Sequence, residues 1–387
     1  MVSEPPYPGF RSGFIEALGA IETPAVLVDR LRLDANIQRI ARLGKDGVAV
    51  RPHAKTHKSI ALAQLQLDAG AIGLTVAKPS EAEVFLAGGV PSVTIAYPLV
   101  VPAKIERVAR VAAGHGAEVR FLVDSDMGID AIAGVARTLG ATFPVHLKVD
   151  VGLHRCGVAP DSAAGLALAR RLAETPGIAF AGLLSHAGHA YRTSDAASVR
   201  SIAETERMIM TGFAERLAAD GIGTPDVSVG CTPTVILNAG LEGISEIRPG
   251  NYVYMDRIQV ALGAAMLDEV ALWVAATVVS VNDRFAIVDA GSKVLSSDLG
   301  PHGSEAVAGY GMAWRCEALD APPMVLASLS EEHGVLDHGG IPPRIGERVA
   351  LLPNHSCPVV NLADEVLVIG PAGDIASWPV DARGKVR

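Results

Sequence analysis

Eight short β-branched runs recur between residues 47 and 250, separated by longer stretches, most of them helical in character. This alternation restricts the fold more than any other feature of the chain. The runs are GVAVR, IGLTVA, SVTIAYP, EVRFLVDS, VHLKVDV, FAGLLSH, DVSVG and ISEIRPG. Parallel strands need a crossover of a dozen or more residues, usually a helix, so strand–helix alternation implies a parallel sheet. Eight units in this span imply closure into a (β/α)8, TIM-like barrel. The doubly wound alternative displays a GxGxxG turn, and none is found. Helix signals agree. DRLRLDANIQRIARLG precedes the first run, and PAKIERVARVAAG opens on a proline, which a first turn tolerates. SEAEVFLAGG is expected to start with a Ser80–Glu83 capping box and to close at Gly88 and Gly89.

After Met255 the pattern changes to extended runs broken by Gly, Pro, Asn and Asp, which reads as a β-rich second domain. The expected division is a barrel over 23–255, with 1–22 plus 256–387 as the β domain. A net charge of −9 and 4% aromatic residues offer neither a basic face nor a stacking platform for nucleic acid. No apolar run is long enough to span a membrane, and MVSEPPYPGF lacks the basic start and apolar core of an export signal. Cys156, Cys231, Cys316 and Cys357 form no CxxC pair. A reduced, cytoplasmic protein with small-molecule partners is expected.

In such a barrel, functional groups gather at the carboxyl ends of the strands. Nearly every expected strand ends on polar residues: His53, Lys55 and His57; Lys78; Tyr97; Asp124; Asp150, His154 and Arg155; His186 and His189. Loops are polar in any case, yet such a density of His, Lys and Arg at one end points to a site. Lys55, flanked by His53, His57 and Lys58, has the cationic neighbourhood that favours a Schiff-base lysine. The seventh run leads into SVGCTPT, where a glycine turn and two threonines at a helix start could cradle an anion. A phosphate-bearing aldehyde cofactor would satisfy both features.

The motifs RPHAKTHKS, AKPSEAE, VDVGLHRCGV, SVGCTPT, PGNYVYMD, EEHGV and PNHSC, in this order, resemble the D-threonine aldolase/D-serine dehydratase family. These are pyridoxal-phosphate enzymes of the alanine racemase fold, a barrel followed by a β domain. The resemblance implies that Lys55 carries the cofactor. It places Arg155 near the pyridine nitrogen, and Gly230, Cys231, Thr232, Gly250 and Asn251 around the phosphate. It also implies a divalent metal held by a His-x-Cys pair, here His355 and Cys357. Residues i and i+2 of a strand share a face, so both could meet one ion. A thiolate–imidazole pair suits zinc, while manganese, like magnesium, prefers oxygen donors. The fold family further implies a homodimer.

Within the family the residues are mixed. His189, before AYRT, resembles the basic histidine of the aldolases, and His186 matches one of the dehydratases. PSEAE, PAKIERVAR and the closing PVDARGK lean toward the aldolases, whereas SVGCTPT and Cys357 resemble the dehydratases. The leading expectation is retro-aldol cleavage of a D-threonine-like substrate to glycine and an aldehyde. The alternative is dehydration of D-serine or D-threo-3-hydroxyaspartate to a 2-oxo acid and ammonia. A non-catalytic pyridoxal-phosphate protein is the third reading. Racemization would want a tyrosine from the β domain, and Tyr310 there lies in no matching motif.

Overall fold

The computed structural model describes residues 7–44, 47–300, 307–318 and 320–387. The chain begins with α1 (Ser12–Ala20), β1 (Ala25–Asp29) and α2 (Arg30–Leu43). Then come the barrel strands β2 (Ala49–Val50), β3 (Leu74–Val76), β4 (Ser92–Pro98), β5 (Glu118–Val123), β6 (Phe143–Lys148), β7 (Ile178–Leu184), β8 (Asp226–Val229) and β9 (Glu246–Ile247). A helix follows each in turn: α3 (Ile60–Asp68), α4 (Pro79–Ala87), α5 (Pro102–Gly114), α6 (Asp126–Leu139), α7 (Ala163–Glu174), α8 (Ala196–Ala219), α9 (Thr232–Ile236) and α10 (Arg257–Ala261). The strands pair in parallel in the order β2-β9-β8-β7-β6-β5-β4-β3. A parallel bridge between His53 and Thr75 joins the two edges and closes the barrel. The eight expected strands are these eight, two of them only two residues long.

The second domain contains β10 (Leu272–Val281), β11 (Phe285–Val288), β12 (Gly311–Arg315), β13 (Met324–Leu329), β14 (Gly334–Asp337), β15 (Arg348–Pro353), β16 (Glu365–Ile369) and β17 (Ile375–Pro379), with short helices α11 (Ser292–Leu295) and α12 (Ser356–Leu362). Its sheet runs β11-β14-β13-β12-β15-β10-β1-β16-β17, and β11 also pairs with β10, rolling six strands into a small barrel. Trp273 packs edge-on to Trp314 at 5.5 Å and to Phe10 at 4.7 Å. Among the described residues no helix is long and apolar enough to cross a membrane.

Two expectations need correction. The domain boundary at residue 23 fails because β1 belongs to the second sheet: Val26 pairs with Val274 antiparallel and Val28 with Val368 in parallel. AVLVD is buried along four of its five positions, as a central strand requires. Asp29 then caps α2, accepting from the Leu31 and Arg32 amides. Residues 1–6 of the expected β domain lie outside the described residues. The Ser80–Glu83 capping box is also absent. Pro79 takes the first helical position of α4, and Glu81 instead reaches back to the Ala77 amide at 2.6 Å.

Candidate active site

The carboxyl ends of the barrel strands, roofed by the second domain, enclose a cavity of about 390 Å³. Its wall includes Lys55, Arg155, His186, Gly230, Cys231, Thr232, Gly250, Asn251, His355 and Cys357. Ten of the eleven residues given a cofactor, metal or proton-transfer role from sequence therefore meet in one place, with His53 beside them. His189 is the eleventh and does not line the cavity, nor do the strand-end residues His57, Lys78, Tyr97, Asp124, Asp150 and His154. The His189 ring packs against Gly152, close enough that an added β-carbon there would come within 3.3 Å.

Lys55 sits in the tight turn that leaves β2, its amide donating to His53 Nδ1 at 3.3 Å. Burial, together with Lys55, Arg248, His57 and Arg155, holds His53 well below the ordinary histidine range, so it is neutral. Burial likewise takes His57 down to about 3. Neither ring carries charge at neutral pH. Next to Lys55, Thr56 Oγ1 lies 3.2 Å from Cys357 Sγ, joining the lysine turn to the second domain.

Opposite stands the turn from β8 into α9. Gly230 adopts φ +106°, and a β-carbon there would strike Val235 Cγ2 at 2.5 Å, so only glycine makes this turn. Cys231 is buried, and burial pushes its thiol up to about 12, which removes it as a nucleophile at neutral pH. Thr234 Oγ1 accepts from the Cys231 amide at 3.1 Å, and Thr232 Oγ1 from the Tyr252 amide at 3.1 Å. Gly250 has a different reason for being glycine. A β-carbon there would come within 2.9 Å of His53 O, so glycine lets the lysine turn pack closely. Asn251 Nδ2 bonds Asp256 Oδ2 at 2.6 Å and Ser356 Oγ at 2.8 Å, while its buried Oδ1 has no hydrogen-bond partner among the described residues.

The cavity also contains cations that the sequence reading passed over. Lys148, the last residue of β6, is buried, and burial with Arg248 and Arg155 brings its ammonium down to about 7 against the pull of Cys156 and Glu206. Arg248, also buried, donates to Ser228 Oγ and to Ser185 O. Ser228 Oγ in turn donates a hydrogen bond to Glu246, which accepts from Arg51 Nε at 2.7 Å on its other oxygen. Arg155, by contrast, is exposed at the rim. The signal for Lys148 and Arg248 was present: each is a basic residue at the carboxyl end of an expected barrel strand, VHLK and ISEIR, where functional groups gather.

His355 and Cys357 do not lie on a strand. β15 ends at Pro353, His355 occupies the N-cap position of α12, and Cys357 lies in its first turn. The pair meets all the same. Burial opposes charge on both, but the two support each other, so His355 is raised to about 10 and Cys357 is held below the ordinary thiol range with help from Lys55 and Thr56. His355 Nδ1 lies 2.8 Å from Asp298 Oδ2, the carboxylate–histidine arrangement that orients metal-ligating imidazoles. Among the described residues no group of three or more His, Cys, Asp and Glu side chains converges for a metal. An acidic thiol beside a carboxylate-anchored imidazole nevertheless fits a soft divalent ion whose other positions go to water and substrate. Excess positive charge and the glycine turn fit a phosphorylated cofactor.

The family model for the alanine racemase N-terminal domain matches residues 28–258, and one for a serine dehydratase domain matches residues 271–369. The D-threo-3-hydroxyaspartate dehydratase of Delftia sp. (strain HT23) is 33% identical over 94% of this chain and 98% of its own. Its solved structure superposes with a TM-score of 0.86, at 33% identity and the same coverages. That enzyme has also been solved as a histidine-to-alanine variant and, with a cysteine two positions further on changed to alanine, in a metal-free form. The D-threonine aldolase of Arthrobacter sp. is 32% identical over 95% of this chain and 94% of its own. The structure of D-threonine aldolase from Filomicrobium marinum gives a TM-score of 0.83 at 30% identity, covering 96% of this chain and 98% of that one. On residues, fold and full-length similarity together, this chain belongs to the alanine racemase N-terminal-domain family, in the group that includes D-threonine aldolases, 3-hydroxyaspartate dehydratases and D-serine dehydratases.

Proposed function

We propose that this protein is a pyridoxal-phosphate- and divalent-metal-dependent lyase acting on D-3-hydroxy amino acids. One observation carries the reading: Lys55, the Gly230–Thr232 turn and the His355–Cys357 pair all line a single cavity. Lys55 would hold the cofactor aldehyde, and the turns at Gly230–Thr232 and Gly250–Asn251 its phosphate. His355 and Cys357 would hold the metal, zinc in preference to manganese or magnesium given the sulfur donor. The cofactor supplies an electron sink for charge developing at Cα, and the metal a Lewis acid for the β-hydroxyl.

The remaining work falls to the chain itself. Arg248, fixed in the floor by Ser228 and Ser185, takes the ring-nitrogen role expected of Arg155. The exposed Arg155 is then free to meet the substrate carboxylate at the rim. The second domain roofs the cavity and limits water, which strengthens each of these charge interactions. His186, half-buried in the wall, is the histidine placed to move a substrate proton. Because His186 rather than His189 faces the cavity, elimination of the hydroxyl to a 2-oxo acid and ammonia is the favoured reaction.

Retro-aldol cleavage is the second reading. It is carried by His189, whose burial keeps the imidazole below its ordinary pKa against the pull of Asp150, and therefore basic in form. A cytoplasmic homodimer is the inferred setting, in keeping with four unpaired cysteines.

The test is to incubate the protein with pyridoxal phosphate, zinc or manganese, and D-serine, D-threonine or D-threo-3-hydroxyaspartate. Ammonia with a 2-oxo acid identifies elimination; glycine with an aldehyde identifies cleavage. A visible cofactor band without either product leaves a binding protein. Lys55→Ala is expected to abolish that band, and chelation to stop turnover while leaving it. A band surviving in Lys55→Ala overturns the lysine assignment.

A further inference from the structure

The segment Val380–Arg387 follows β17 and returns to the barrel, where it docks behind the turn that presents Lys55. The Ala382 amide donates to Lys58 O at 2.9 Å, and Lys58 Nζ reaches Ala382 O at 3.3 Å. Asp381 Oδ2 accepts from the Ile60 amide at 2.7 Å. On the neighbouring helix α4, Ser80 and Arg387 exchange further bonds: the Ser80 amide donates to Arg387 O at 2.9 Å, and the Arg387 amide to Ser80 Oγ at 3.1 Å.

These contacts meet local needs that the turn cannot satisfy itself. Lys58 sits at φ +51°, a left-handed conformation that a residue with a β-carbon adopts only when its surroundings hold it. Its ammonium is buried against Glu81 at 3.2 Å. Ser59 occupies the N-cap of α3 yet makes no cap hydrogen bond, and its hydroxyl has no hydrogen-bond partner among the described residues. Asp381, more than three hundred positions away, supplies the missing acceptor to the first helical amide, with its charge at the favourable end of the helix.

We infer that Asp381 is a positioning residue for Lys55, and that the 380–387 segment is a strap fixing the lysine turn from behind while Thr56–Cys357 fixes it from the cavity side. The PVDARGK motif has its explanation here. The inference takes Lys55 as the cofactor-holding lysine, but the strap itself can be tested without cofactor.

Hydrogen exchange of the peptide covering residues 56–63 is measured on the protein without added cofactor, for wild type, Asp381→Ala, Asp381→Asn and Arg383→Ala. Loss of one cap of ordinary strength opens the segment about fivefold more often. Asp381→Ala should therefore exchange about fivefold faster there, whereas Asp381→Asn keeps an acceptor oxygen and stays near wild type. Arg383→Ala breaks only the exposed pair with Asp364 and should change nothing in this peptide. Ile60→Pro, which deletes the donor at a position where proline fits and leaves Ser59 extended at φ −116°, tests the same bond if Asp381→Ala does not fold. The rate at which the visible band appears on adding pyridoxal phosphate should fall in the same order as exchange rises. Wild-type exchange in both Asp381→Ala and Ile60→Pro overturns the strap, and faster exchange with an unchanged rate of band formation overturns the positioning role. If wild type forms no band, the cofactor reading fails while the exchange result still decides the strap.

Discussion

Replacing Glu246 by glutamine tests both the barrel's stability and the placement of Arg248. Glu246 and Arg51 each keep 2% of their side-chain surface, and the carboxylate faces two guanidinium groups, Arg51 directly and Arg248 through Ser228. Glutamine preserves shape and an acceptor oxygen but leaves Arg51 as a buried, uncompensated charge. Removing one partner of such a pair costs about 3–5 kcal/mol. With a urea dependence of about 3 kcal/mol per molar, the upper end of the small-protein range, the unfolding midpoint should fall by about 1–1.7 M. Burial works to raise the Glu246 pKa, but Arg51, His146, Arg248 and Ser228 outweigh it and hold the carboxyl below its usual value of 4.5. A depressed folded-state pKa gives stability that is full above the unfolded value and lost as pH falls through the folded one. The penalty of Glu246→Gln should therefore shrink in acid. The double variant Arg51→Met/Glu246→Leu, which buries neither of these charges, should regain most of the midpoint. A shift below about 0.2 M for Glu246→Gln at neutral pH, within the uncertainty of such midpoints, would falsify the account of this pair as the charge balance of the barrel interior.

Gly230→Ala should lose about 1–3 kcal/mol, from a left-handed backbone and a β-carbon driven into Val235, and should weaken pyridoxal-phosphate binding in a spectroscopic titration. Equal affinity and an equal melting temperature would remove that turn from the phosphate site. Lys148 titrates near 7 when folded, against 10.5 when exposed, so between these values the unfolded chain binds a proton that the folded one does not. Wild-type stability should accordingly rise with pH through that window, and Lys148→Met should flatten the rise. Chemical denaturation at pH 7, 8 and 9 measures it, and identical slopes would rule out a desolvated lysine.

The barrel was legible because each unit announced itself locally: a β-branched run, then a helical stretch. The cavity residues were legible because strand ends converge in such a barrel, whatever the loops do. What escaped depended on distant partners. AVLVD has the same local character as a barrel strand, and only its pairing with Val274 and Val368 assigns it to the other sheet. HSC follows a strand run, and nothing local marks the chain's switch into α12 at Ser356. Ser80 and Glu83 satisfy the spacing of a capping box, yet the proline before them sets the helix start two residues early and commits them elsewhere: Ser80 to Arg387, Glu83 to Arg107. The different settings of the two loop histidines escaped for a related reason. His186 and His189 share one short loop, and three residues of backbone decide which ring faces inward.

The placement of β1 bears on how the chain assembles. Flanked by β10 and β16, it cannot complete either ladder until the whole barrel has been made, so the barrel is in effect an insertion within the β domain. During synthesis an apolar strand with both hydrogen-bonding edges open must wait while more than two hundred residues collapse beside it, a long-range closure that slows folding and exposes a sticky segment. Newborn chains of this protein should therefore depend on chaperones for the first strand rather than for the barrel.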